Sequence, residues 1–241
     1  VNDAADRWRE LAAGPAVLLD GFHALKHAVR FGAEVPLAVT SDKPAALALA
    51  ADLAPDVAPA LDALLTPVPA AVLAALVTRP HPTGVAALAV PAPREPVRDA
   101  PVVVLDNPRH LGNIGAVVRL AAGAGAGGVL TTGTADPWHP AVLRAAAGLH
   151  WATAVRRCTT AELPPGPLYA LDPDGADLRT VTIEDGALLA FGSERAGLSP
   201  AVRARATTLL ALPMRPRVSS YNLATSVAMT LYHWMARRPP A

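Results

Sequence analysis

Five side chains in this 241-residue chain stand out for what their types and settings could do: Asn113, Arg119, Glu194, Ser220 and Asn222. They fall in three short stretches, GNIGAVVR at 112–119, FGSERAG at 191–197 and LPMRPRVSSYN at 212–222, each punctuated by Gly or Pro. A carboxylate, two side-chain amides, a hydroxyl and a guanidinium, placed where apolar strand-like runs end, can hold and orient a polar ligand. In the third stretch, residues 213–217 form an irregular basic loop that offers backbone amides and carbonyls, while Leu212 and Met214 line its apolar side. Ser220 or Asn222 also suits the N-cap of the apolar helix that follows.

Spacing restricts how these groups can cooperate. Asn113 is placed to begin a helix and cap its amides, and Arg119 lies nearly two turns along, roughly 240° around the axis. The two do not share a helical face. They are either a cap and a solvated arginine, or a pair that only the tertiary fold can bring to one task.

Other chemistries fit less well. Gly123, Gly125, Gly127 and Gly128 imitate a dinucleotide fingerprint, but they leave a helix and enter a strand, whereas a phosphate loop leaves a strand and opens a helix. Helix termination by a left-handed glycine is the better reading, and a nucleotide-dependent oxidoreductase has only this cluster behind it. Ser193 directly follows Gly192, so the spacing of a nucleophile elbow fails. The seven histidines show no metal-ligand spacing, and no metal is expected. The single cysteine, Cys158, excludes an intrachain disulfide framework.

The elements that must position these groups follow from the apolar pattern. Residues 1–92 read as a small α/β domain, with strands at 16–20, 35–40 and 84–90 and helices at 21–31, 45–53 and 70–77. Residues 93–100, rich in proline and charge, read as a linker. Residues 101–241 form a second domain with strands at 102–105, 129–132, 152–155, 168–171, 187–192 and 208–212. These runs are short and almost wholly apolar, the signature of strands buried on both faces of a mostly parallel sheet. Helices are expected at 114–122, 140–147, 200–206 and 223–237, with Ser199 and Pro200 as an N-cap and first helical residue.

With 52% hydrophobic residues the chain can build a core. No apolar run approaches the ~20 residues that span a bilayer, and the start VNDAADRWRE lacks a secretory pattern, so a soluble cytoplasmic protein is expected. Net charge is +1, unevenly spread: residues 1–100 hold 8 Lys/Arg against 11 Asp/Glu, and residues 101–241 hold 13 Arg against 9 acids. Exclusive use of arginine in the second half fits bidentate phosphate binding, or equally a GC-rich coding bias.

The three stretches, in this order and with a strand feeding each, resemble the motifs of the SpoU/TrmH family of SPOUT RNA methyltransferases. Motif one is matched by Asn113 to Arg119, motif two by Gly192, Ser193, Glu194 and Gly197, and motif three by Leu212, Pro213, Met214, Ser220, Tyr221 and Asn222. The run DPWHPAVLRAAAG at 136–148 resembles a further family segment, and residues 15–90 resemble the family's ribosomal-protein-like, substrate-binding domain.

The resemblance implies an α/β catalytic domain with a deep trefoil knot and a homodimer that builds each site from two subunits. It implies S-adenosylmethionine as cofactor, a ribose 2′-hydroxyl of rRNA or tRNA as methyl acceptor, and no membrane or metal partner. The expected cofactor set is Thr131, Thr132, Gly133, Gly192, Leu212, Met214, Tyr221 and Asn222. Asn113, Arg119, Glu194, Ser220 and Asn222 form the expected catalytic set, with Arg119 acting as base or as a clamp on the adjacent phosphate. Arg109, Arg144, Arg195, Arg215 and Arg217 are the expected RNA contacts, and helix 223–237, with Leu231, Trp234 and Met235, is expected in the dimer interface. Tyr221 stands where the family motif usually carries leucine. The alternative is a catalytically inactive RNA-binding protein on the same scaffold, with Tyr221 blocking the cofactor pocket.

Overall fold

The computed structural model describes residues 2–237, which divide into two compact units. The first runs to Ala92 and also takes in Trp138–Ala152. It comprises α1 (Asn2–Ala12), β1 (Val17–Asp20), α2 (Phe22–Arg30), β2 (Leu37–Thr40), α3 (Lys43–Leu53), α4 (Ala58–Leu64), β3 (Leu65–Pro67), α5 (Ala70–Leu76) and β4 (Val85–Ala89). Its four strands lie in the order β1-β4-β2-β3. β4 pairs antiparallel with β1 and β2, and β3 joins β2 in parallel. Leu37, Val39, Ala86 and Leu88 form one core layer with Trp8 of α1 and Leu73 of α5. α1, α4 and β3 are additions to the expected elements; α1 is strongly charged, so its apolar stripe is thin and Trp8 carries much of its anchorage.

The second unit comprises Pro93–Pro137 and the chain from Thr153 onward. It contains β5 (Val102–Leu105), α6 (Leu111–Ala124), β6 (Gly128–Thr131), β7 (Val155–Arg157), β8 (Leu168–Asp177) and β9 (Leu188–Phe191). The intervening α7 (Pro140–Ala145) packs on β1 within the first unit, and α8 (Pro200–Arg205), β10 (Thr208–Ala211) and α9 (Leu223–Met235) complete the second. The six strands run in the order β10-β8-β9-β5-β6-β7, every neighbouring pair parallel. β5, β6 and β9 are buried along their whole length, which is why their sequences do not alternate. Val102, Val104, Leu130, Leu168, Leu188 and Val202 form one face of this core. α6 and α9 pack on each other, α6 also on β6 and α9 on β9.

Local chemistry sets the boundaries. Gly125 closes α6 in the left-handed conformation, φ 67°, as the glycine cluster suggested. Ser199 caps α8 through Val202 N at 3.3 Å, with Pro200 opening the helix. β8 runs past its expected end at Leu171: its pairing with β10 steps from Ala170 opposite Leu209 to Ala176 opposite Leu210, so residues 171–175 bulge out of the ladder with β10. Gly175 presses on the backbone of Leu209 and Leu210, where no Cβ would fit. Residues 93–100, expected as a linker, belong to the second unit, where Val97 N donates to Gly127 O at 2.9 Å and Arg98 Nε to Gly186 O at 2.9 Å. Among the described residues no helix is long and apolar enough to cross a membrane, and no cluster of side chains could hold a metal ion.

Candidate functional site

Because the strands of the second sheet are parallel, their C-terminal ends share one edge, the usual place for a ligand crevice in such sheets. A cavity of about 700 Å³ opens there, beyond β8, β9 and β10. Leu171, Phe191, Leu210, Leu212, Met214 and Leu223 give it apolar walls, and Asn113, Ser193, Glu194, Ser220, Tyr221 and Asn222 bring polar groups to the same space.

A chain of hydrogen bonds joins the three sequence stretches at this cavity. Asn222 caps α9, its Oδ1 accepting from Ala224 N at 2.9 Å, and its Nδ2 donates to Asn113 Oδ1 at 3.2 Å. Asn113 Nδ2 in turn donates to Glu194 Oε1 at 2.9 Å. Glu194 accepts two further bonds at the start of α6, from Arg109 N at 3.2 Å and His110 N at 3.4 Å. Asn113 had been expected to cap its own helix. α6 instead begins three residues earlier, at Leu111, and its N-cap, His110, makes no side-chain cap bond. The carboxylate of Glu194, eighty-odd residues away in sequence, accepts from the two amides that lead into the helix, where a negative charge is also favoured by the helix dipole.

A tight turn aims Glu194. Ser193 and Gly197 exchange two backbone bonds of 3.0 Å, and Ser193 Oγ accepts from Ala196 N at 3.2 Å. Gly192 lies against the backbone of Gly197 and Leu198, where a Cβ would overlap main-chain atoms. Burial pushes the Glu194 carboxyl up, but the bonds from Asn113, Arg109 and His110 outweigh it and hold the group below the usual carboxylate range.

Of the other expected site residues, Arg195 lines the cavity and several lie elsewhere. Arg119 is exposed on α6 and does not line the cavity. The cavity also excludes Thr131, Thr132 and Gly133. Thr131 is fully buried, and Thr132 Oγ1 donates to the buried Asp106 at 2.8 Å while accepting from Asn107 N at 2.9 Å. Thr132 thus ties the end of β6 to the end of β5. Arg144 pairs with the buried Asp20 within the first unit. Arg109, Arg195, Arg215 and Arg217 are exposed, and Arg195 lines the cavity. Leu231 and Trp234 of α9 are buried in their own chain, whereas Tyr232 is 71% exposed and Met235 is exposed beside it. His110 and Asp172 line the cavity without having stood out in the sequence. Asp172 lies in the β8 bulge, which alternation rules do not foresee, and pairs with Arg203.

A model of the SpoU rRNA Methylase family matches residues 100–232, more than half of the chain and all of the stretches that form the cavity. The chain belongs to the SpoU rRNA Methylase family. It is 31% identical over 179 residues to a 23S rRNA (uridine(2479)-2′-O)-methyltransferase of Streptomyces viridochromogenes, covering 65% of this chain and 61% of that one. Its fold matches the SpoU methyltransferase AviRb of the same organism, solved with AdoMet, at a TM-score of 0.76 and 23% identity over 97% of both chains. An RNA 2′-O ribose methyltransferase structure matches at a TM-score of 0.74 and 27% identity, over 98% of this chain and 95% of that one. The chain spans between 54% and 61% of the length of the first four curated relatives.

In this SpoU-family chain the depressed Glu194 carboxyl makes a pH prediction with a definite sign. A carboxyl held lower in the folded state than in the unfolded chain contributes stability above its unfolded pKa, and that contribution is lost as pH falls through the folded value. The turn at 192–197 should therefore stay ordered through mildly acidic pH and loosen only below the ordinary carboxylate range. Urea midpoints of wild type and Glu194→Gln, measured from neutral pH downward, should differ most near neutrality and converge at the acid end. A constant difference across the series would place the stabilisation in something other than the charge.

Proposed function

We propose that this chain is an S-adenosylmethionine-dependent RNA methyltransferase that transfers a methyl group to a ribose 2′-hydroxyl of rRNA or tRNA. The hydrogen-bonded chain Asn222–Asn113–Glu194 carries this reading, since it draws the three motif stretches onto one cavity in a SpoU-family chain. The cavity suits the cofactor: its apolar walls match an adenine ring, and Asn113, Glu194, Ser220 and Asn222 bring polar groups to the same space. Gly192, Leu212, Met214 and Tyr221 would hold the adenosyl group, and Glu194, Ser220 and Asn222 would face the reacting end. Bound there, the cofactor would supply a methyl group already activated by its sulfonium charge.

For this chain's residues the remaining task is to place the acceptor oxygen in line with that methyl and to let its proton pass to water as the oxygen–methyl bond forms and the sulfur–methyl bond breaks. The guanidinium of Arg119 is not readily deprotonated, so its role is to hold the phosphate next to the acceptor ribose. Its exposure outside its own cavity fits a role in the cavity of a second copy. The proposal thus includes a homodimer, with the exposed Tyr232 and Met235 of α9 in its interface in place of the buried Leu231 and Trp234. It also includes the deep trefoil knot implied by the family resemblance, a cytoplasmic location, RNA binding by the first unit, and phosphate contacts from Arg109, Arg195, Arg215 and Arg217, which would give affinity without sequence information.

Calorimetry with S-adenosylmethionine, followed by transfer of labelled methyl to total RNA from cells lacking this protein, tests the reading. Saturable binding, with label recovered as 2′-O-methylnucleoside, is the expected result. Absence of cofactor binding by the folded protein would overturn it.

A further inference from the structure

The stretch between β10 and α9, residues 212–222, brings Leu212, Met214, Ser220 and Tyr221 to the cavity with little structure of its own. Within it Val218 N donates to Arg215 O at 3.3 Å, and Arg217 adopts φ 73°, a left-handed conformation that costs a non-glycine residue free energy. Most of its residues are exposed, so burial does little to fix its path. Its exit is fixed by Asn222, which caps α9 and binds Asn113. Its entrance is tied to that exit by a side chain: Tyr221 Oη donates to Pro213 O at 3.1 Å, across eight residues.

We infer that Tyr221 is a positioning residue for the cofactor, acting through the Pro213 carbonyl to hold the 212–222 loop closed over the cavity. This rests on the cofactor reading proposed above. Pro213 makes a stiff anchor because its ring fixes φ, so the hydroxyl grips the loop where it can bend least. Tyr221 lines the cavity together with Leu212 and Met214, so fastening the loop at Pro213 also fixes where these apolar side chains meet it. Leucine at this position could line the wall but could not fasten the loop. Rather than blocking the cavity, Tyr221 directs its hydroxyl to Pro213 and stays 39% exposed beside a cavity of about 700 Å³.

Tyr221→Phe removes the hydroxyl and keeps the ring. One hydrogen bond of this kind supports an expected loss of about threefold to tenfold in cofactor affinity. The loss should appear in KM for S-adenosylmethionine, with kcat at saturation largely retained, and Tyr221→Leu should behave like Tyr221→Phe. A readout that needs no cofactor is tryptic cleavage between Arg217 and Val218, quantified by mass spectrometry; the neighbouring Arg215–Pro216 bond resists trypsin. Tyr221→Phe should be cut there about threefold to tenfold faster, with an unchanged urea midpoint. Wild-type rates of cleavage in Tyr221→Phe would overturn the inference. Faster cleavage in a protein whose wild type binds no cofactor would instead keep the latch and overturn the cofactor reading.

Discussion

Gly192→Ala is expected to abolish methyl transfer, although it adds one methyl group at a site that binds through other side chains. The new Cβ would overlap the carbonyl carbon of Gly197 and the amide nitrogen of Leu198, main-chain atoms that cannot rotate aside. Relief therefore requires the 192–197 turn to open, which breaks the paired Ser193–Gly197 bonds and moves Glu194 off Asn113 and the start of α6. Overpacking of this kind costs about 1–3 kcal/mol, enough to lower the urea midpoint without unfolding the domain. Gly197→Ala is the control. Its Cβ would meet nothing within 4 Å, and only its φ of 67° opposes a side chain, a penalty of about 1–2 kcal/mol. Cofactor titration and methyl-transfer rates should separate the two variants widely. Equal losses would show that backbone conformation, and not the close approach at Gly192, sets the site.

That contrast also marks how far the sequence could be read. The buried strands β5, β6 and β9 were readable because a sheet covered on both faces demands unbroken apolar runs. The cap at Ser199 was readable, and the cap of α9 was narrowed to Ser220 or Asn222, because such bonds are local. What failed was long-range. Asn113 has the residue type of a helix cap, but α6 starts ahead of it, Glu194 from beyond β9 accepts from the amides of Arg109 and His110 that lead into the helix, and the Asn113 side chain bridges two motifs. The family resemblance put Thr131 and Thr132 in the cofactor set, yet the Thr132 side chain is committed to Asp106 and Asn107, a pairing visible only once β5 and β6 are adjacent. The same limit hid Asp172, since nothing local foretells that residues 171–175 leave the ladder while the strand continues.

Arg119→Ala should reduce methyl transfer by at least about a hundredfold while leaving cofactor affinity near wild type, because the residue touches no part of its own cavity. Arg119→Lys should recover little, since a lysine keeps the charge but loses the planar fork that grips phosphate through two parallel bonds. Near-normal transfer by Arg119→Lys would overturn a bidentate role. If Arg119 serves the cavity of a second copy, the defect should also be repairable by mixing. Arg119→Ala retains an intact cavity but supplies no arginine, and Gly192→Ala retains Arg119 but has lost its cavity. In a mixed dimer, one composite site joins the sound cavity of the first chain to the arginine of the second. Refolding the two inactive variants together should therefore restore measurable methyl transfer, approaching a quarter of wild type for random pairing with one sound site in each mixed dimer. Activity that stays at the level of the separate variants, with mixed dimers demonstrated by differential tagging, would confine Arg119 to its own chain.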